Sequence, residues 1–181
     1  MSQGFAPNPP GGPSASALVR TLRECGITHA VTVPDYAQFA LHVALSASDA
    51  GIATVYTCSE DQALTTATGL HIGGARPALV IQNQGLYKCM NTLRATCLDA
   101  DVPVLFLVGQ FGREAANIGR PMTQSSRRTV RLLEPALDAF GVRHWTVEDD
   151  ADLSRVRDAA DHAQQASTAA VVVVGRHVTW N

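Results

Sequence analysis

Several features that mark particular classes of protein are missing from this sequence of 181 residues. It has no run of about eighteen apolar residues, which a helix needs to span a bilayer. Its first residues lack the basic and apolar regions of a signal peptide. We therefore expect a soluble cytoplasmic protein with no membrane partner.

Charge is scarce and evenly distributed. Charged residues make up 17% of the chain, hydrophobic residues make up 46%, and the net charge is −2. A surface that binds nucleic acid is usually strongly basic, so we expect no nucleic-acid partner. The composition predicts one domain with a large core, and it is compatible with a face that another chain covers.

Motifs for metals, nucleotides and hydrolysis are also absent. The four cysteines form no Cys-x-x-Cys pair and the six histidines form no His-Glu-x-x-His, so we expect reduced thiols and no metal site in this chain. No Gly-x-Gly-x-x-Gly follows the first predicted strand, and there is no P-loop and no Gly-x-Ser-x-Gly elbow. The standard dinucleotide, nucleoside-triphosphate and serine-hydrolase functions therefore have no support.

What is present is a regular alternation of apolar strands and helical patterns. Residues 1–13 contain four prolines and three glycines and predict an unstructured leader, followed by a single domain over 14–181. Strands are predicted at 29–33, 52–57, 77–82, 103–109, 142–147 and 170–175. Helices are predicted at 14–26, 36–48, 60–72, 86–98, 129–140 (interrupted near Pro135) and 151–166. The order predicts a three-layer α/β/α sandwich on a six-stranded, mostly parallel sheet.

Ligands of such sheets bind outside the carboxyl ends of the strands, so residues that follow strands are the candidates. Glu60 opens a helix after the second strand, and that helix carries small residues at Ala63 and Ala67. Ser59 and Gln62 form a capping box around it, so Glu60 can also be explained as an acid that favours the helix dipole. The small helix surface favours close contact with another group.

The pattern around this helix resembles a known family. Residues 60–69 read Glu-x-x-Ala-x-x-x-Ala-x-Gly and are followed by Gly-Gly and an apolar strand. Residues 33–35 (Val-Pro-Asp) and 82–86 (Gln-Asn-x-Gly-Leu) fit the same arrangement. Together they resemble the pyrimidine-binding (PYR) domain of thiamine-diphosphate-dependent decarboxylases. The resemblance is greatest to sulfopyruvate decarboxylase α subunits and the matching half of phosphonopyruvate decarboxylases, and it covers about residues 14 to 175.

The resemblance implies the thiamine-diphosphate-binding fold and roles for particular residues. Glu60 would be catalytic and would hydrogen-bond N1′ of the cofactor's aminopyrimidine, sharing the proton needed to activate the thiazolium. Pro34 and Asn83 would also bind the cofactor. The residues implied near the substrate are Asp35, Tyr36, Asn83, Gln84, Gly85 and Arg113. Tyr36 stands where the phosphonopyruvate enzymes have a small hydroxyl residue, so the pocket differs in size.

Other interpretations stay open at this point. Asn83 suits a helix cap equally well, and Arg113 lies in a long irregular segment, 110–126, where solvated arginines are common. The alternative functions are a non-catalytic α/β ligand-binding domain, in which Glu60 only supports its helix, and a structural oligomer with the Ala63 and Ala67 helix at the interface.

The family's second half is missing from this sequence. That half binds Mg²⁺ and the diphosphate through Gly-Asp-Gly and a downstream asparagine, and no Gly-Asp-Gly occurs here. The resemblance therefore implies the α subunit of a split 2-oxo acid decarboxylase. A separate β subunit would hold Mg²⁺ and the diphosphate, in a dimer or higher α/β oligomer. The chain alone is expected to be inactive.

Overall fold

A single parallel sheet forms the centre of the molecule. The computed structural model describes residues 11–180. The strands are β1 (His29–Thr32), β2 (Ala53–Tyr56), β3 (Pro77–Gln82), β4 (Val104–Gly109), β5 (His144–Val147) and β6 (Ala169–Val174). They lie in the order β2-β1-β3-β4-β6-β5, and every neighbouring pair is parallel. The predicted α/β class and six-stranded sheet are confirmed, with a wholly parallel sheet.

Helices cover both faces of this sheet. They are α1 (Ala15–Glu24), α2 (Phe39–Leu45), α3 (Glu60–Ile72), α4 (Asn83–Lys88), α5 (Met90–Leu93), α6 (Arg128–Arg131), α7 (Leu133–Ala139) and α8 (Ser154–Ala166). Helices α1, α2 and α8 contribute to the core on one face, and α3 to α7 contribute to the core on the other. None of the helices in residues 11–180 has the length and apolar character that a membrane span requires.

The central strands explain why both faces need helices. Every residue of β4 and of β6 is buried. Successive side chains of a strand point to opposite faces, and accordingly Leu105 and Leu107 join the core beneath α1, α2 and α8, while Phe106 joins the opposite core. A strand that is apolar at every position is stable only when both of its faces are covered.

Three predicted helices differ in detail from the observed ones. The segment predicted as one helix over 86–98 begins earlier, at Asn83, and consists of α4, α5 and a π-helical turn over Arg94–Leu98. Helix α2 is shorter than the predicted 36–48, because Asp35 Oδ1 accepts a hydrogen bond from Gln38 N and holds a turn before it. The helix predicted over 129–140 is interrupted at Leu132, between α6 and α7, and not at Pro135. Pro135 lies in the first turn of α7, where its missing N–H removes no helical hydrogen bond.

The beginning of the chain is only partly described. Residues 1–10 of the predicted leader lie outside the described residues. At 11–13, where the leader was predicted to continue, the chain is hydrogen-bonded to the far end of the domain. Thr179 N donates to Pro13 O at 2.9 Å and Thr179 Oγ1 donates to Gly12 O at 3.4 Å.

The topology determines where a ligand has room to bind. From β1 the chain proceeds to β2 at one side of the sheet, whereas from β3 it proceeds to β4 at the other side. Such a reversal leaves a crevice at the carboxyl ends of the two strands between which the direction changes, here β1 and β3. Helix α4 begins directly after β3, and α3, which follows β2, packs on both β1 and β3. The first turns of α3 and α4 therefore lie at this edge.

Candidate functional site

Glu60 is the first residue of α3, and the helix cap there does not use it. Ser59 Oγ accepts a hydrogen bond from Gln62 N at 3.4 Å, and Gln62 Oε1 accepts one from Cys58 N at 3.0 Å. These bonds form the predicted capping arrangement, except that Gln62 reaches Cys58 rather than the cap residue itself. Capping therefore does not account for the carboxylate of Glu60.

The carboxylate of Glu60 is nearly buried and keeps its acceptor capacity. Its side chain is 12% exposed, and within residues 11–180 no donor makes a hydrogen bond to it. The charged group beside it is the ammonium of Lys88, with Nζ 3.7 Å from Oε2. A carboxylate with two acceptor oxygens available at the carboxyl edge is thus suited to a ligand that donates or shares a proton.

Gly85 lies directly against Glu60. A Cβ atom at position 85 would be 2.3 Å from Glu60 Cγ and 2.7 Å from both Cδ and Oε1. Such distances are well inside van der Waals contact, so the acidic side chain rests on the bare backbone of α4. Glu60 and Gly85, both predicted site residues, are therefore in contact. The side chain of Glu60 fills the space beside Gly85, where we expected a substrate.

The acidic and thiol side chains near Glu60 are either hydrogen-bonded within the chain or uncharged. Asp61, its neighbour in the first turn of α3, accepts a hydrogen bond from Thr92 Oγ1 at 2.7 Å. Burial, together with the negative charges of Asp61 and Glu60, raises the pKa of the Cys89 thiol to about 12. Cys89 is therefore a neutral, buried thiol at physiological pH. Of the two acids in this turn, Glu60 alone has no hydrogen bond among the described residues.

The loop after β1 uses Asp35 internally. The Asp35 side chain is 1% exposed, and its Oδ2 accepts a hydrogen bond from Gln38 Nε2 at 2.9 Å. The backbone N–H of Asp35 donates to His42 Nε2 at 3.0 Å. His42 is also held by its two ring nitrogens, with Nδ1 3.4 Å from Thr32 Oγ1 and Nε2 3.3 Å from Asp35 Oδ2. Asp35 fixes the loop, and its carboxylate is not presented to a substrate.

Two other predicted residues of this loop are on the surface. Pro34 is exposed, and Tyr36 is 62% exposed, with its ring edge-to-face with His177 at a centroid distance of 5.4 Å. Burial lowers the pKa of His177, although the charge of Asp35 opposes the shift. Pro34 and Tyr36 are thus the predicted site residues of this loop that are accessible at the carboxyl edge.

Asn83 is fully buried and bonded within the chain. Its Nδ2 donates to Gln110 Oε1 at 2.6 Å, to Phe111 O at 3.0 Å and to Thr129 O at 3.1 Å. Its Oδ1 accepts a hydrogen bond from Gln84 N at 2.9 Å. A contact between Asn83 and a cofactor or substrate does not fit this arrangement. Asn83 instead joins the start of α4 to the segment after β4, while Gln84 is exposed beside it.

Arg113 is likewise engaged inside the chain. Its Nε donates to Asn117 Oδ1 at 2.9 Å, and its Nη2 donates to Asn117 O at 3.2 Å and Arg120 O at 3.0 Å. Its Nη1 donates to Gly175 O at 3.0 Å and to the carboxylate of Glu148. The side chain is only 3% exposed. The prediction that Arg113 meets an anionic substrate does not fit this geometry, because all its donors have partners.

These bonds give order to the segment that we predicted as irregular. Glu114 accepts hydrogen bonds from Ser125 Oγ at 2.6 Å and from Ser126 N at 2.7 Å. Burial opposes ionisation of Glu114, but these bonds prevail and lower its pKa to about 2. The bond between Gln110 and Asn83 attaches this segment at the carboxyl ends of β4 and β3. Arg113 attaches it at the carboxyl ends of β5 and β6, where it bonds to Glu148 and Gly175. The candidate site is therefore at the Glu60 end of this edge.

Removing the Arg113 side chain should test its structural role. We expect Arg113→Met to lower the free energy of unfolding by about 3 kcal/mol, because it leaves acceptor oxygens of Asn117, Arg120 and Gly175 without their donor. Glu148 would keep one cation, since Arg176 Nε is 3.6 Å from its Oε2. The matched control is Arg94→Met, whose ion pair with Asp99 is half-exposed and should contribute no more than about 1 kcal/mol. Urea unfolding measures both values. A loss of activity without loss of stability in Arg113→Met would instead restore the substrate-binding interpretation.

Within residues 11–180, no cluster of three histidine, cysteine, aspartate or glutamate side chains is arranged to hold a metal ion. The sequence interpretation did not single out Lys88, Gln38 or Gln110. The last two follow strand ends, where a ligand or a buried partner is expected. Their burial could not be deduced from the sequence, because their hydrogen-bond partners are distant along the chain. Gln38 donates to Ile81 O, and Gln110 accepts from Asn83.

Comparison with known proteins gives two relatives with the same name. Sulfopyruvate decarboxylase subunit alpha of Methanothermobacter thermautotrophicus is 26% identical over 123 residues, which are 67% of this chain and 74% of that protein. The protein of the same name from Methanococcus maripaludis is 22% identical over 123 residues, covering 67% of this chain and 73% of its own.

A solved structure shares the fold. The 2-oxoglutarate:ferredoxin oxidoreductase of Magnetococcus marinus superimposes with a TM-score of 0.64 at 15% identity, over 88% of this chain. The chain spans only 28% of that protein's length. Residues 14–145, most of the chain, match the family described as "Thiamine pyrophosphate enzyme, N-terminal TPP binding domain". This protein therefore belongs to the family of thiamine pyrophosphate enzyme N-terminal domains.

Proposed function

We propose that this chain is the pyrimidine-binding α subunit of a split thiamine-diphosphate-dependent decarboxylase that acts on a small 2-oxo acid. The observation that carries the proposal is the Glu60 carboxylate, nearly buried at the carboxyl edge and without a hydrogen bond from the described residues. The family match supports a thiamine-diphosphate enzyme, and the two relatives named sulfopyruvate decarboxylase subunit alpha support decarboxylation of a sulfopyruvate-like acid. A phosphonopyruvate-like acid remains part of the proposal through the resemblance of the sequence alone.

The residues at this edge fit the pyrimidine half of the cofactor. A ring nitrogen such as N1′ needs one carboxyl oxygen within hydrogen-bond reach, and neither oxygen of Glu60 accepts a hydrogen bond from a donor in residues 11–180. The flat backbone at Gly85 supports the carboxylate from one side. When bound, the cofactor supplies a thiazolium that accepts the electron pair released with carbon dioxide.

Glu60 would hold the proton that N1′ shares. Its 12% exposure limits access of water, and a positioned carboxyl group can share a proton with a ligand nitrogen that lies within hydrogen-bond reach. Ser59 and Gln62 keep the start of α3 fixed, so Glu60 has no second task in the helix cap. The role of this chain is thus to orient one carboxyl group and to control one proton.

The remaining predicted residues divide into two groups. Pro34, Tyr36 and Gln84 are exposed at the carboxyl edge, and we assign them to contacts with the cofactor or substrate. The other four residues act indirectly. The side chains of Asn83, Asp35 and Arg113 are hydrogen-bonded within the chain. The space beside Gly85 is filled by the side chain of Glu60. Substrate anions would then be bound by exposed residues and by the second subunit.

The partner is part of the proposal. A separate β chain with Gly-Asp-Gly and its downstream asparagine would hold Mg²⁺ and the diphosphate, and α and β chains would form a dimer or higher oligomer. The names of the two relatives, each a subunit alpha, support a second chain. We place the assembled enzyme in the cytoplasm.

Reconstitution tests this function. The purified chain with thiamine diphosphate, Mg²⁺ and sulfopyruvate should release no carbon dioxide, whereas addition of its β partner should give turnover that depends on all three additions. The partner alone is the control. Turnover by the purified chain alone would refute the split site. An assembled complex that binds no thiamine diphosphate would refute the cofactor assignment and support a non-catalytic α/β domain.

A further inference from the structure

The chain has a single lysine, and that lysine lies beside Glu60. Thirteen of its 14 basic residues are arginines, and the exception is Lys88 on α4. Its Nζ is 3.7 Å from Glu60 Oε2, and the lysine side chain is 53% exposed whereas that of Glu60 is 12% exposed. A mobile cation therefore stands on the solvent side of the candidate catalytic carboxylate.

An arginine would contact this carboxylate in a different way. Arg94 and Arg113 each donate hydrogen bonds directly to their acidic partners, Asp99 and Glu148. A guanidinium has a planar array of donors that can hold both oxygens of a carboxylate, while an ammonium is a compact and strongly hydrated charge. Lys88 Nζ is beyond hydrogen-bond distance, so it pairs with Glu60 and leaves both oxygens without a donor.

The two oxygens of Glu60 differ in their neighbours. Oε1 faces the backbone of Gly85, and Oε2 faces Lys88. Gly85 belongs to the packed helix α4, whereas Lys88 is half in solvent and can withdraw. A ligand nitrogen that comes within hydrogen-bond distance of Glu60 therefore approaches on the lysine side.

Among the elements that pack on α3 within residues 11–180, Lys88 is the cation that faces Glu60, and Tyr87 on α4 stays neutral because burial raises its pKa. Helix α3 packs against β1, β3, α4 and α5. Strand β3 and helix α5 contain no titratable residue, and β1 contains only His29, at its opposite end. On α3 itself Asp61 is bonded to Thr92, and Cys89 beside α4 is a neutral thiol.

We propose that Lys88 is a positioning residue: it is the counter-ion of Glu60 in the cofactor-free chain and is displaced when the ring nitrogen of the cofactor binds Glu60. This inference rests on the proposed function. Displacement opposes binding, so removing the ammonium should strengthen it. A partly exposed ion pair contributes modestly, and Lys88→Met should therefore lower the Kd for thiamine diphosphate about two- to fivefold in the α/β complex.

The single lysine permits a direct measurement on the free chain. Reductive ¹³C-methylation keeps the charge and labels Lys88 together with the terminal amine, and the Lys88 resonance is the one absent from Lys88→Met. We expect this resonance to shift in Glu60→Gln, which removes the charge that it faces. We also expect thiamine diphosphate, added to the α/β complex, to move the wild-type resonance toward its position in Glu60→Gln.

Affinity measurements complete the test. Calorimetric titration of thiamine diphosphate into complexes with wild-type chain, Lys88→Met and Lys88→Arg should give tighter binding only for the methionine variant. In the Glu60→Gln background the lysine substitution should have no effect on Kd. Arg94→Met, which removes an exposed cation elsewhere, is the control for net charge.

Each outcome has a definite meaning. An unchanged Kd in Lys88→Met, or a Lys88 resonance that is identical in wild type and Glu60→Gln, would overturn the inference while the proposed function stands. Weaker binding in Lys88→Met would show that the lysine contacts the cofactor and would also overturn it. A complex that binds no thiamine diphosphate with either residue at 88 would overturn the proposed function and this inference together.

Discussion

Replacing Glu60 by glutamine is expected to lower the decarboxylase activity of the reconstituted complex by about a hundredfold to ten-thousandfold, the range typical for loss of a positioned proton-transfer group. Glutamine keeps the shape of the side chain but cannot exchange a proton with a ring nitrogen. The loss should appear in kcat, since the amide can still form a hydrogen bond to the bound cofactor.

The same substitution should leave the fold nearly unchanged. The cap of α3 consists of Ser59 and Gln62, and Glu60 contributes no hydrogen bond to it. What is lost is the attraction of a carboxylate to the helix dipole and its partly exposed pairing with Lys88 at 3.7 Å, together about 1 kcal/mol of unfolding free energy. A large loss of activity with little loss of stability therefore separates a catalytic from a structural role.

Asp61→Asn is the matched control for this experiment. Asp61 occupies the same first turn, carries the same charge and is bonded to Thr92. We expect its activity to remain within a few-fold of the wild type. If Glu60→Gln and Asp61→Asn both retain full activity in a complex that binds thiamine diphosphate, then Glu60 is an acid that supports its helix and the proton role is refuted.

The bounds of a helix or strand were predicted correctly where residues at its ends mark its start and its end. Helix α3 has the predicted bounds, because Ser59 and Gln62 define its start and Gly73 its end. Strand β3 also has the predicted bounds, since an apolar run from Pro77 to Gln82 is suited only to a strand covered on both faces. The alternation of such elements was sufficient to predict the parallel sheet and the edge at which Glu60 lies.

The bonding of polar residues after the strands could not be predicted in this way. Asn83, Asp35 and Arg113 follow strand ends, as ligand-binding residues of this fold class do, but each is bonded within the chain. The partners of Asn83 and Arg113 are up to 62 residues distant in sequence, and no local pattern reveals them. Glu60 differs because its local partners, Ser59 and Gln62, satisfy the helix without it.

Gly85→Ala should lower activity at least tenfold with little change in stability, an order of magnitude that reflects displacement of a catalytic group. The backbone of Gly85 has no positive φ, so alanine fits its conformation. The obstacle is Glu60, whose Cγ would be 2.3 Å from the new Cβ. The atom in the way lies in the middle of the side chain, so the whole carboxyl arm must rotate away from α4.

Rotation of Glu60 relieves the clash, and alanine is favoured over glycine within a helix by about 0.5–1 kcal/mol. The unfolding free energy of Gly85→Ala should therefore stay within about 1 kcal/mol of the wild type, as measured by urea unfolding of the chain. Activity of the reconstituted complex should fall because the carboxylate no longer lies where the ring nitrogen is expected.

Gly69→Ala is the control on α3 itself, since a Cβ at position 69 meets nothing within 4 Å. It should be fully active and slightly more stable. In a Glu60→Ala background the side chain that blocks position 85 is gone, so Gly85→Ala should cause no further loss of activity and should now raise stability. If Gly85→Ala is fully active, Glu60 does not act from the position in which it rests on α4. The glycine then serves the close approach of another group, such as the substrate that the family resemblance implies near it.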